Sequence, residues 1–228
     1  PSHIRFALRN GADAICEKPL VIFPEDIHII KDIETETGKK VYTVLQLRYH
    51  PTILKLKKEI EEAGNKIHDI DLSYITTRGK WYFKSWKGDI QKSGGVATNI
   101  GIHFFDMLTW IFGNVKENIV HVYDHNKAAG YLQLEKARVR WFLSLDSNDL
   151  PKAATDKGMR TFRSITVDNK EVEFSGGFTD LHTITYQNIL NGNGFGIDDA
   201  RESIELTNFV RNSKPVGLRG EYHPFLVK

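Results

Sequence analysis

Ile67-His-Asp-Ile-Asp-Leu-Ser-Tyr-Ile-Thr-Thr77 alternates apolar and polar side chains, and Ile70, Leu72 and Tyr74 recur at every second position. A period of two residues is typical of a β-strand that buries one face. Further stretches with strand character follow, joined by turns rather than helices: residues 119–123, 131–134, 137–145, 160–167 and 170–174. Because strands joined by turns pair in antiparallel fashion, the sequence predicts a mostly antiparallel open sheet.

Helices are predicted before, within and after this run of strands. Apolar residues between Pro51 and Ala63 recur at helical spacing until Gly64, which favours an amphipathic helix that ends there. The same reasoning predicts one helix inserted among the strands and two behind them, over residues 97–112, 178–191 and 198–212. A large sheet with flanking helices of this kind indicates an α+β domain.

The first 47 residues follow a different rhythm. They read as a short helix over residues 2–10, a buried strand over 12–16, a helix from Pro24 to Gly38 and a strand over 41–47. Alternating helices and strands are typical of α/β units with a parallel sheet, so we place a domain boundary near residue 48. Because the chain opens on Pro1 rather than methionine, we expect a fragment of a longer protein.

Amino-acid composition and net charge argue against several classes of function. Lys and Arg number 31 against 29 Asp and Glu, and a net charge of +2 gives no general field for nucleic acid or an anionic membrane. No apolar run approaches the roughly 20 residues that span a bilayer, and we expect a cytoplasmic protein. Cys16 is the single cysteine and the histidines lack metal-ligand spacing, so the sequence predicts no disulfide and no metal site.

Lys18 is the first candidate for chemistry. The run Ile15-Cys-Glu-Lys-Pro19 places it at the carboxyl end of a predicted buried strand. Ligands bind at that edge of open α/β sheets, where a partly dehydrated lysine can donate a hydrogen bond to a substrate oxygen. A lysine whose stem packs on the strand end while its amine reaches water is the alternative.

The predicted helix over residues 97–112 carries a polar stripe. Asn99, His103, Asp106 and Trp110 follow one another at steps of four, three and four, which places them on one helix face. The rest of this helix is nearly all apolar, so its polar side chains must face a cavity or find partners in the core. A hydrogen bond between His103 and Asp106 would satisfy the second alternative.

A basic aromatic segment precedes that helix. It interleaves aromatic rings with cations, among them Trp81, Lys84, Trp86 and Lys87. Such a pattern suits a heterocyclic base with its phosphates, a single-stranded nucleic acid, or an interface packed by its own aromatic residues. The nearly neutral total charge argues against nucleic acid, and the position beside His103 favours a small ligand.

Three motifs together resemble the Gfo/Idh/MocA family of oxidoreductases. They are Glu17-Lys-Pro19, Gln46-Leu-Arg-Tyr-His-Pro51, and the stretch from Gly94 to Asp106 that contains Asn99-Ile-Gly-Ile-His103. The resemblance implies an α/β protein in which a Rossmann domain that binds NAD or NADP precedes a domain with a large open sheet. It therefore assigns residues 1–47 to the end of the dinucleotide-binding domain and residues 48–228 to substrate binding and oligomerisation.

The resemblance also assigns roles on the cofactor side. Glu17, Lys18 and Pro19 would lie near the nicotinamide, and the peptide bond between Lys18 and Pro19 is expected to be cis. Family members commonly have aspartate where this chain has Asn99, an amide that cannot ionise. No glycine-rich phosphate loop occurs in this sequence, so we expect the chain alone to bind NAD poorly and to be inactive.

Segments 81–88, 93–101 and 192–201 are similar to a branch of the family, the UDP-N-acetylglucosaminuronate 3-dehydrogenases. These enzymes oxidise the C3 hydroxyl of a nucleotide sugar used for bacterial surface polysaccharide. For this reaction His103 is the preferred base, because its unperturbed pKa of about 6.5 lets it accept a proton at neutral pH, and Lys18 would hold the hydroxyl oxygen. If burial lowers the pKa of Lys18, Lys18 is the base instead. Asn99 is the third residue of the predicted catalytic set. The remaining substrate contacts are predicted at Arg48, Trp81, Lys84, Trp86, Lys87 and Asp106.

Two other interpretations stay open at this point. The chain could come from a family member that acts on a free sugar or a cyclitol. It could also use its sheet for oligomerisation or partner binding without chemistry, and a homodimer or homotetramer through the sheet is expected in either case.

Overall fold

The computed structural model describes residues 1–174 and 176–227. The first 47 residues form helix α1 (Ser2–Arg9), strand β1 (Ala14–Cys16), helix α2 (Glu25–Thr37) and strand β2 (Val41–Thr43). The two strands pair in parallel, as the alternation of helices and strands predicts. Strand β2 is shorter than predicted, because the chain turns into a 3₁₀ helix over Gln46–Tyr49.

The larger unit is a six-stranded sheet with the order β4-β5-β6-β3-β7-β8. Its strands are β3 (His68–Thr76), β4 (Val115–Tyr123), β5 (Lys127–Leu134), β6 (Ala137–Ser144), β7 (Thr161–Val167) and β8 (Lys170–Glu171). Four of the five pairings are antiparallel, and β3 with β6 is the parallel one. A parallel pair needs a crossover connection, and the long segment between β3 and β6 supplies it. The mostly antiparallel sheet is confirmed.

The helices of this unit are α3 (Pro51–Glu62), α4 (Lys80–Lys84), α5 (Ile90–Ser93), α6 (Ile102–Phe112), α7 (Lys152–Thr155), α8 (Leu181–Leu190) and α9 (Ile197–Asn212). The predicted helix over residues 97–112 is divided, since Ala97–Gly101 is π-helical and α6 begins at Ile102. The basic aromatic segment forms α4 and a 3₁₀ turn over Trp86–Gly88. Within the described ranges no helix is both long enough and apolar enough to cross a membrane.

One face of the sheet builds the main hydrophobic core. Ile70 and Leu72 of β3 are fully buried there, and Phe105 of α6 meets Trp141 of β6 edge to face with ring centroids 5.1 Å apart. Helices α3, α6 and α9 cover this face. On the opposite face, cross-strand ion pairs join arginines to aspartates, and the chain after α9 packs on Phe142.

A second core joins the two predicted domains. Ile27 and Ile30 of α2, Ile102 of α6, and Ile197 and Ile204 of α9 belong to one buried cluster. Helix α9 therefore packs on both sides of the boundary that we place near residue 48. Because of this packing, the carboxyl end of β1 and the start of α6 are held beside each other.

Candidate active site

A cavity of about 320 Å³ opens where β1, the start of α6, α4 and the edge of the sheet meet. Among the residues that the structure describes, its lining combines four cations with aromatic and amide side chains and contains no carboxylate. The lining residues are Lys18, Gln46, Leu47, Tyr74, Arg78, Trp81, Tyr82, Lys87, Asn99, Ile100, His103, Phe104, Arg163, Phe174 and Phe178. The size is that of a small-molecule site, and the excess of positive charge in the lining favours an anionic ligand.

Lys18 reaches the cavity from the carboxyl end of β1. Its Nζ atom donates a hydrogen bond to the backbone oxygen of Asn99 at 2.8 Å, and the peptide bond to Pro19 is cis, as expected. The pKa of Lys18 is lowered from 10.5 to about 8, mainly because burial disfavours the charged amine. The negative charge of Glu17 opposes this shift, and the positive charge of Lys87 adds to it.

Asn99 lies inside the π-helical turn and connects two cavity residues. While its backbone oxygen accepts from Lys18, its side-chain amide donates to the hydroxyl oxygen of Tyr82 at 2.7 Å. Burial raises the pKa of the Tyr82 hydroxyl, which therefore keeps its proton at neutral pH. Because the Tyr82 oxygen already accepts a hydrogen bond, its own hydrogen is available to a ligand in the cavity.

His103 lies in the first turn of α6 and faces the same cavity. Among the described residues it has no hydrogen-bond partner, so the alternative pairing with Asp106 is not formed. Burial is the main cause that lowers the pKa of His103 from 6.5 to about 3, and the positive charges of Lys18, Arg163 and His182 contribute to the same shift. The imidazole is therefore neutral across the physiological pH range.

Arg48 and Asp106 contact each other instead of lining the cavity. Both side chains are buried, and two hydrogen bonds of 2.7 and 3.1 Å join them in a bidentate pair. Arg48 also reaches Asp199 of α9 at 3.2 Å and stacks over the ring of Phe195 at 4.6 Å. Both residues, which we predict to contact substrate, thus have their charges paired within the chain. The pair fixes α6 against the 3₁₀ turn and α9.

The basic aromatic segment divides between the cavity and solvent. Trp81 and Lys87 line the cavity, and the Trp81 side chain is 57% exposed at its mouth. Lys87 lies between two indoles, with its Nζ 6.0 Å from the Trp81 ring centre and 5.9 Å from that of Trp86. Trp86 and Lys84 are exposed and lie outside the lining, although both were predicted to contact substrate.

Arg163 of β7 and Tyr82 of α4 are cavity residues that sequence reasoning did not assign to the site. The sequence carried a signal for Arg163. Arg163 stands two residues before the fully buried Ile165 and four before Val167, so it shares their face of the strand. This face points toward the core, and Arg163 lies there opposite Tyr74 of β3. A charged residue in phase with buried apolar positions is costly unless it has a role. The spacing of two residues between Arg163, Ile165 and Val167 is visible in the sequence. This spacing is the signal that could have identified Arg163 as a candidate site residue.

The edge of β1 is the place where a cofactor would meet this cavity. Glu17 is exposed and contacts His182 at 3.2 Å, while Lys18 and Pro19 follow directly. Ile15, although in a strand, is 41% exposed. In residues 1–174 and 176–227 no group of three or more His, Cys, Asp or Glu side chains could hold a metal ion.

Comparison with known proteins supplies a second line of information. Residues 57–162 match the C-terminal alpha/beta domain of the oxidoreductase family that contains Gfo/Idh/MocA proteins. The chain is 52% identical to the WlbA (WbpB) dehydrogenase of Thermus thermophilus in complex with NAD and alpha-ketoglutarate, with a TM-score of 0.95 over 98% of this chain and 72% of that one. A second structure of the Thermus protein, with NAD and UDP-GlcNAcA, gives 51% identity and a TM-score of 0.94 over the same shares, 98% and 72%.

A curated relative is more distant. YteT of Bacillus subtilis is 30% identical over 124 residues, which are 52% of this chain and 29% of that protein. The chain spans less than half the length of the curated relatives that it matches, with shares of 29%, 32% and 41%.

Proposed function

Because the chain belongs to the Gfo/Idh/MocA family of oxidoreductases, we propose that the full-length protein is an NAD-dependent dehydrogenase of a nucleotide sugar acid. The proposed reaction is oxidation of the C3 hydroxyl of UDP-N-acetylglucosaminuronate (UDP-GlcNAcA). The observation that carries this proposal is a cavity in which Lys18 and His103 share the lining with further cations and, within residues 1–174 and 176–227, with no carboxylate.

The charge and shape of the cavity support a nucleotide sugar acid as the substrate. UDP-GlcNAcA carries a diphosphate and a carboxylate, and Arg78, Lys87 and Arg163 offer positive charge around the cavity. The exposed indole of Trp81 gives the uracil or the sugar a flat apolar face at the mouth. The Thermus relative that is 51% identical to this chain holds the same ligand together with NAD.

The residues at the end of β1 fit a nicotinamide cofactor. Lys18 stands at the carboxyl end of a parallel strand, where dinucleotides bind in α/β sheets, and its lowered pKa gives an amine that can exchange a proton. The nicotinamide, when bound, supplies the hydride acceptor. Glu17, Lys18 and Pro19 are the residues of this chain that we expect on its side of the cavity.

Lys18 and His103 divide the proton chemistry between them. A base must be deprotonated and must bind a proton well near neutral pH, and a pKa of about 8 suits Lys18 better than a pKa of about 3 suits His103. We therefore propose that the neutral Lys18 amine accepts the hydroxyl proton. The neutral His103 imidazole hydrogen-bonds the same oxygen, and Asn99 holds Lys18 through its backbone oxygen.

The test is formation of NADH by the full-length protein with defined substrates. UDP-GlcNAcA should give turnover with NAD at least tenfold above that with UDP-N-acetylglucosamine, myo-inositol or glucose. If only myo-inositol or glucose gave turnover, the substrate would be a cyclitol or a free sugar and not a nucleotide sugar. Absence of turnover with every substrate, in a protein that remains folded, would favour a binding or assembly role.

Three wider expectations accompany this proposal. We propose a role in bacterial surface polysaccharide synthesis, in the cytoplasm, with a homodimer or homotetramer that forms through the sheet. Multi-angle light scattering of the full-length protein tests the assembly, and a monomer at micromolar concentration would contradict it.

A further inference from the structure

Arg163 differs from the other arginines of the sheet. Arg138 and Arg140, on the opposite face, each form two hydrogen bonds with an aspartate of β3, at 2.7–2.9 Å. Arg163 makes no ion pair with any residue that the structure describes, and its buried Nε atom has no hydrogen-bond partner. A buried guanidinium N–H without an acceptor costs free energy, so the described residues leave part of the hydrogen-bonding capacity of Arg163 unused.

Aromatic rings fix the guanidinium in place. Its central carbon lies 4.4 Å from the ring centre of Phe178, 5.3 Å from that of Phe174 and 5.3 Å from that of Tyr74. Contacts with ring faces hold the positive charge without using any of the N–H donors. The planar fork of Arg163 is therefore oriented before a ligand arrives, which lowers the entropy lost on binding.

The cations of the cavity occupy different environments. Arg78 and Trp81 are exposed at the mouth, whereas the Nε of Arg163 is buried beside Phe174, whose side chain is 3% exposed. The positive charge of Arg163 is one of the causes that lower the pKa of His103. Arg163 thus lies on the inner side of the cavity, near the group that we expect to contact the reacting hydroxyl.

We propose that Arg163 binds the carboxylate of the uronic acid and makes the protein select sugar acids over neutral sugars. A carboxylate matches the guanidinium fork with two parallel hydrogen bonds and neutralises its charge. The diphosphate would then remain with Arg78 and Lys87 near the exposed Trp81. This inference rests on the proposed function, because it names the part of that substrate which Arg163 recognises.

The experiment measures how strongly the full-length protein, with NAD present, binds UDP-GlcNAcA, UDP-N-acetylglucosamine and UDP by isothermal titration. The two sugars differ in the carboxylate, so their affinity ratio reports its recognition. We expect Arg163→Gln to weaken UDP-GlcNAcA binding by about tenfold to a hundredfold, the size of one charged hydrogen-bonded pair. Binding of UDP-N-acetylglucosamine and UDP should change less than threefold.

Two further variants sharpen the result. Arg163→Lys keeps the charge but loses the fork, and we expect it to recover only part of the preference for the acid. Arg160→Gln, an exposed arginine near the same strand, should leave all three affinities unchanged. An equal loss of affinity for all three ligands in Arg163→Gln would assign this residue to the diphosphate and overturn the inference.

Failure of this inference is distinguishable from failure of the proposed function. If the wild-type protein binds neither nucleotide sugar, the proposed function is wrong and the role of Arg163 falls with it. If the wild-type protein prefers the acid and Arg163→Gln keeps that preference, the inference alone is wrong.

Thermal stability gives a readout that a structural role would not share. Methionine removes the charge of Arg163 but can still pack against Phe174 and Phe178, so Arg163→Met should change the melting temperature of the ligand-free protein by less than about 5 °C. A fall of more than about 5 °C would show that the arginine mainly supports the packing of Phe174 and Phe178, and would overturn the assignment.

Discussion

The pH dependence of turnover separates Lys18 from His103 as the base. With a pKa of about 8, about a tenth of Lys18 is neutral at pH 7 and about nine tenths at pH 9. An unperturbed lysine of pKa 10.5 would be neutral in only about one molecule in three thousand at pH 7. If the neutral amine accepts the proton, kcat/KM for UDP-GlcNAcA should rise about tenfold between pH 7 and pH 9 and then level off.

The same measurement can refute the assignment. His103, with a pKa of about 3, is already deprotonated at pH 6, so a mechanism based on it predicts a flat profile from pH 6 to pH 9. Two charge-removing variants test the cause of the inflection. Glu17→Gln removes a charge that raises the pKa of Lys18, and Lys87→Gln removes one that lowers it. Inflections that fail to move to lower and higher pH, respectively, would contradict this account of the site.

Other variants test the remaining parts of the structure. His103→Ala should reduce kcat by about a hundredfold or more with little change in urea stability, and an unchanged rate would remove it from the mechanism. Arg48→Met should lower the free energy of unfolding by about 3–5 kcal/mol, because Asp106 is left buried without its partner, whereas the exposed Lys55→Gln should change it by less than about 0.5 kcal/mol. Gly130→Ala should cost about 1–3 kcal/mol in urea denaturation, since a Cβ there would meet a backbone carbonyl of β4; a stable variant would show that the strands can separate locally.

Much of the fold could be predicted from local patterns. The period of two in Ile70, Leu72 and Tyr74 reports which side of β3 faces the helices, and burial confirms it. The parallel pairing of β3 with β6 could not be predicted in this way, because it depends on how a long connection folds back. The sequence shows the alternation within each strand, whereas the order of strands is set by packing between distant segments.

The candidate site shows the same division between local and distant information. Lys18, Asn99 and His103 could be identified from strand ends and helix faces, and the structure brings them to one cavity. Arg48 and Asp106 carry the charges expected of substrate contacts, yet residues 58 positions apart in the sequence satisfy each other in the core. A charged side chain in a sequence does not reveal whether its partner is a ligand or another part of the chain.

The π-helical turn sets Asn99 apart from the regular helix that carries His103 and Asp106. An α-helix over residues 97–112 would keep Asn99, His103 and Asp106 in a single row, but the turn Ala97–Gly101 departs from the regular hydrogen-bond spacing. Asn99 lies in this turn, and its backbone oxygen receives the hydrogen bond from Lys18. His103 and Asp106 both lie in the regular helix α6, where His103 faces the cavity and Asp106 is held by Arg48. The irregular turn therefore joins β1 to the cavity, and the buried ion pair keeps α6 in the position that this contact requires.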